Sequence, residues 1–133
     1  MALENGEFWI TPGGGIDEGE THEDALRREL REEIGLSDAA IGAHIWNREA
    51  TFTVRGRQIA ERECFYIVRT DRFVADLSGN PVAHEREAMA EARWWPVHEL
   101  PAHSKDFAPA RLGSLVATLL ESGPPVRPID TGF

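Results

Sequence analysis

The stretch Gly14-Gly15-Ile16-Asp17-Glu18-Gly19-Glu20-Thr21-His22-Glu23-Asp24-Ala25-Leu26-Arg27-Arg28-Glu29-Leu30-Arg31-Glu32-Glu33-Ile34-Gly35-Leu36 joins a glycine-rich turn to one short helix that carries a cluster of acids. Thr21 suits an N-cap, and Asp24 three residues later can close a shortened capping box. Gly35 suits the left-handed position just past a helix, with Leu36 folding back on the last turn. These signals predict a helix from about His22 to Ile34. At ~100° per residue, Leu26, Leu30 and Ile34 form one apolar stripe that must face a core. Glu29, Glu32 and Glu33 fall on an adjoining face, because positions three and four apart are neighbours on a helix.

Three carboxylates on one turn repel one another, and something must offset that repulsion. A magnesium or manganese ion would do so, since hard cations take oxygen ligands from a few carboxylates and from substrate phosphates. An acidic helix face on its own is more often a solvated surface laced with ion pairs such as Arg28 with Glu32 or Glu23 with Arg27. The turn Pro12-Gly13-Gly14-Gly15 shifts that balance, because glycines let backbone approach a ligand closely.

The spacing is Gly14, five residues, Glu20, seven residues, then Arg28-Glu29-Leu30-Arg31-Glu32-Glu33-Ile34-Gly35-Leu36. Every fixed position of the Nudix box is filled, so the chain resembles a Nudix hydrolase. The resemblance implies an α/β fold, an α/β/α sandwich around a mixed sheet. It implies metal ligation by Glu29, Glu32 and Glu33 with the carbonyl of Gly13, orientation of these acids by Arg28, and bracing of the loop by Glu20. A further acid from a later loop is common in the family; the segment before Arg93-Trp94-Trp95 points to Glu87, with Glu85 and Glu91 behind it. The implied reaction is metal-dependent hydrolysis of a diphosphate bond in a nucleoside diphosphate linked to another group. A nucleoside triphosphate leads by elimination, because the flanking patterns of the ADP-ribose, dinucleoside polyphosphate, NADH and coenzyme A enzymes are not visible. The alternatives are a Nudix-like binding module with little or no turnover, or a pyrophosphatase acting on a nucleotide sugar or ADP-ribose.

Composition agrees. At 133 residues the chain is expected to be one domain, 1–133, with enough length for a core. There is no run of transmembrane length, no signal peptide is expected, and the lone Cys64 fits a reducing, cytoplasmic setting. A net charge of −9 argues against sequence-independent nucleic-acid binding, which needs a basic footprint. It would also repel an anionic substrate, for which bound divalent ions are the remedy.

Beyond the helix, Ala43 to Val54 and Gln58 to Arg69 read as strands joined at Arg55-Gly56-Arg57. Asp71 to Pro81 reads as a loop and Ala92 to Val97 as a strand. Ala110 to Glu121 reads as a second helix stopped by Gly123-Pro124-Pro125, and residues 123–133 as an extended, partly mobile tail. Trp46 could stack on a nucleobase, although strand aromatics are more often core residues. Arg48 and Arg57 could hold substrate phosphates by forked hydrogen bonds, although exposed strand arginines are usually solvated. The five histidines show no ligand spacing. Only eleven residues precede Pro12, with Glu7 to Thr11 the one strand candidate among them, so the first strands of the family's sheet are expected to be missing. An uncovered edge is a liability, which makes pairing into a homodimer the working hypothesis.

Overall fold

The computed structural model describes residues 1–4, 8–79 and 91–132, the side chains of Phe52 and Val54 excepted. In chain order the elements are β1 (Ala2–Glu4), β2 (Trp9–Ile10), α1 (His22–Ile34), β3 (Ala40–Val54), β4 (Arg57–Arg69), β5 (Glu91–Arg93), a 3-10 turn (Val97–Glu99), β6 (Phe107–Ala108), α2 (Leu112–Ser122) and β7 (Ile129–Asp130). The α/β class is as expected. The chain divides into two compact units, residues 1–41 with 68–96, and residues 42–67 with 97–133.

The first unit is built on α1. Its bounds are set by local chemistry: the Thr21 hydroxyl accepts from the Asp24 amide at 3.1 Å, and Gly35 turns left-handed at φ 76°. Gly35 N–H donates to Arg31 and Leu36 N–H to Leu30, the paired closure that satisfies the last carbonyls. The capping box is one-sided, because the Asp24 carboxylate accepts from Arg27 at 3.2 Å. Leu30 and Ile34 are buried with Leu3 and Ala39, and Leu26 packs beside them.

Two strands precede the glycine turn, where the sequence suggested one and a missing partner. β1 pairs antiparallel with β2 (Leu3 opposite Ile10) and with β5 (Leu3 opposite Ala92). The cross-strand row Ile10, Leu3, Ala92 therefore packs against the apolar stripe of α1. Flanked on both sides, β1 needs no second chain to complete it. The expected strand from Ala92 to Val97 shortens to Glu91–Arg93. Trp94 turns its indole N–H to the Phe73 carbonyl at 2.8 Å, and Pro96 has no N–H for a ladder. Residues 70–77 form no strand, yet Phe73, Ala75 and Leu77 alternate into the same core.

In the second unit β3 and β4 form a long hairpin. Its turn residues Arg55 and Gly56 are both left-handed (φ 51° and 76°), the backbone that matches strand twist in a two-residue hairpin. Ile45, Trp46, Ala50, Phe107, Leu112 and Leu115 are buried. The segment after Gly123 is extended but anchored: β7 pairs parallel with β3, Trp46 opposite Ile129. The fully buried Thr131 donates its N–H to the Asn47 carbonyl and accepts from Arg111 at 3.0 Å.

Candidate active site: a glycine turn clamped onto an acidic helix

Arg28 organises the first unit's polar face. Its Nε and Nη2 form a fork onto the two oxygens of Glu20, each at 2.9 Å. Nη2 also donates to the Gly15 carbonyl at 2.9 Å, and Asp17 lies 3.5 Å away. Glu20 in turn accepts from the Asp17 amide at 2.8 Å. Hydrogen bonds from Arg28 hold the Glu20 carboxyl below the usual carboxylate range, and Glu20 in return raises Arg28. The glycine-rich turn is thereby tied to the middle of α1. Asp17 is the member of this group that sequence reasoning missed; nothing in its spacing distinguishes it from Glu18.

The third nitrogen, Nη1, donates to Glu29 at 2.9 Å and to Glu32 at 3.2 Å, so oxygens of both acids converge on one point. Gly14 admits this packing. A Cβ there would sit 2.5 Å from the Glu29 carboxyl carbon, so a larger residue would push that carboxylate from its place. Glu33 is buried, and its Oε1 accepts from the Gly13 amide at 2.9 Å. Burial pushes the Glu33 carboxyl up to about 7, opposed by the Gly13 hydrogen bond and reinforced by the charge of Glu29. Burial also raises Glu29, against the pull of Arg28. A carboxyl so placed favours its proton or a cation.

Among the described residues no group of three or more His, Cys, Asp or Glu side chains is gathered so as to hold a metal ion. The donor set nevertheless suits a hard cation. Three carboxylates line one face, two already share a cationic nitrogen, and the third is buried at a cost that positive charge would relieve.

The other residues singled out in the sequence lie elsewhere. Glu85 and Glu87 fall outside the described residues; Glu91 is exposed at the start of β5, opposite Glu4. Trp46 is a core residue of the second unit, 5% exposed and 5.8 Å from the Phe65 ring. Arg48 pairs with Glu63 across the hairpin, while its buried Nε has no acceptor among the described residues. Arg48 also lines a cleft of about 330 Å³ with Asn47, Arg62 and Asp130. Arg57 is exposed at the first position of β4.

Comparison with known proteins matches the chain to a family. The model of the NUDIX domain matches residues 3–116. An RNA pyrophosphohydrolase of Rhizobium meliloti is 30% identical over 122 residues, spanning 80% of this chain and 73% of that protein. The nucleoside triphosphatase NudI of an Enterobacter species is 55% identical over 38 residues, 26% of this chain and 27% of that one. The solution structure of the Escherichia coli ORF135 protein superposes with a TM-score of 0.54 at 23% identity, covering 91% of this chain and 76% of that one, which supports the fold. No helix among the described residues is long and apolar enough to cross a membrane. The chain with its acids gathered round Arg28 belongs to the Nudix family.

Proposed function

We propose that the chain hydrolyses a diphosphate bond in a nucleoside diphosphate linked to another group, with a nucleoside triphosphate as substrate and Mg²⁺ or Mn²⁺ as cofactor. The observation that carries this reading is the buried Glu33 carboxyl, held on the Gly13 amide beside the Glu29–Arg28–Glu32 cluster. Glu29, Glu32, Glu33 and the Gly13 carbonyl would hold the ion. Such an ion, when bound, neutralises phosphate charge and makes a coordinated water a nucleophile near neutral pH. Arg28 sets the rotamers of Glu29 and Glu32, and Glu20 fixes Arg28 with a two-point fork that lysine cannot reproduce. Glu32, the most exposed of the three acids at 30%, would accept a proton from the attacking water, with Glu87 the alternative base.

The similarity to RNA pyrophosphohydrolases favours a second substrate class, a triphosphorylated RNA end. The charge of −9 works against it. The test is a magnesium titration against a panel of nucleoside triphosphates, nucleotide sugars, ADP-ribose and 5′-triphosphorylated RNA, with phosphate and monophosphate release as readout. Turnover of a triphosphate is expected, and Glu32→Gln and Glu33→Gln each lower it at least about a hundredfold without unfolding the chain. Near-normal magnesium-dependent turnover in both variants refutes the site. Binding of the panel without turnover makes the chain a binding module.

A further inference from the structure

The last turn of α1, which carries Glu32 and Glu33, is gripped from outside by a short piece of the loop after β4. Asp76 N–H donates to the Ile34 carbonyl at 2.9 Å, capping a group the helix leaves open. The Asp76 carboxylate accepts from the Ser78 amide at 3.0 Å and from its hydroxyl at 2.6 Å. These bonds hold the carboxyl ionised, below its usual range. Ionisation there is unexpected on grounds of the helix alone, because a helix C-terminus favours cations.

Two glycines set how closely the loop approaches. A Cβ on Gly35 would stand 2.9 Å from the Asp76 Cβ, and one on Gly79 would stand 3.3 Å from the Glu32 carbonyl oxygen and 3.8 Å from that of Arg31. The loop thus rests directly on the backbone of the acid-bearing turn. Its inner side is fixed as well, since Phe73, Ala75 and Leu77 pack in the core with Leu30 and Ile34. Apolar anchorage behind and a hydrogen-bonded turn in front leave residues 76–79 little freedom.

We propose that Asp76, Ser78 and Gly79 are positioning residues, a clasp that fixes the backbone beneath Glu32 and Glu33 and so the approach of their carboxylates to a cation. The inference rests on the reading of those two glutamates as metal-holding groups. Groups that orient ligands typically contribute a factor of about 10 to 100 in metal affinity.

The experiment measures Mn²⁺ binding to the metal-free protein by the resonance signal of free Mn²⁺, beside urea unfolding of the same samples. Gly79→Ala and Asp76→Ala are expected to weaken Mn²⁺ binding about tenfold while the protein remains folded at the assay temperature. Asp76→Asn, whose amide oxygen still accepts from Ser78, is expected to restore most of the affinity lost in Asp76→Ala. Where Gly79→Ala does not fold, the two Asp76 variants and Ser78→Ala decide. Affinity kept within about twofold in Asp76→Ala, or lost equally in Asp76→Asn, overturns the clasp. Glu33→Gln serves as control. If it too binds Mn²⁺ normally, the parent reading fails; if it alone loses affinity, only the clasp does.

Discussion

Among the described residues of the first unit, Glu33 carries a marked electrostatic cost. The residue is 7% exposed, and its carboxyl accepts a hydrogen bond from the Gly13 amide. Burial moves its pKa from 4.5 to about 7, which corresponds to about 3 kcal/mol between the protonated and ionised forms. Because the folded value is the higher one, the folded state binds this proton more tightly. The stabilisation is full below about pH 4.5 and is lost as the pH rises through 7. In EDTA, the stability of the native chain relative to Glu33→Gln should therefore fall from pH 4.5 to 7 and level off above. Urea unfolding across that range checks it, and a difference independent of pH would contradict the burial argument. At this scale the box was legible: Arg28 meets Glu32, Glu23 meets Arg27, and Glu20 braces the turn. What the residues could not tell was that Glu33 alone is buried while Glu29 and Glu32 share Arg28, since that depends on where the turn lies.

Elements whose ends are marked by local chemistry were legible, and those made by their neighbours were not. Thr21 and Gly35 place both ends of α1. Replacing Thr21 by alanine removes the acceptor for the Asp24 amide and should cost about 1 kcal/mol, read as a lower urea midpoint at unchanged slope. An unchanged midpoint would mean the cap is redundant. The β3–β4 hairpin was legible from its turn. α2 begins at Leu112, two residues later than its apolar pattern suggests, and Arg111 makes no side-chain cap that could have marked the start. β1 has only three residues and becomes a strand through its neighbour β2 and through β5, the latter a pairing at a distance that no local signal announces. The same holds for β7, two residues long, in a segment that composition describes only as extended. The clasp at Asp76 carries a local cue, an acid followed two residues on by serine, but its seat on α1 is set by tertiary packing.

For the whole molecule, a charge of −9 and the anionic substrate proposed would be reconciled by cations bound at the acidic face of α1. Family membership rests on a match that spans most of the chain, while the chemistry proposed for it rests on a handful of oxygens in the first unit. The geometry brings Glu29 and Glu32 onto a shared nitrogen, but no three acids among the described residues are gathered to hold an ion, so the proposed ligation requires their side chains to rearrange. The most direct measurement is an anomalous difference map from crystals soaked in Mn²⁺. The account predicts a peak within bonding distance of the carboxylates of Glu29, Glu32 and Glu33 and the carbonyl of Gly13. No peak there, with the three carboxylates remaining on Arg28 and Gly13, would contradict it.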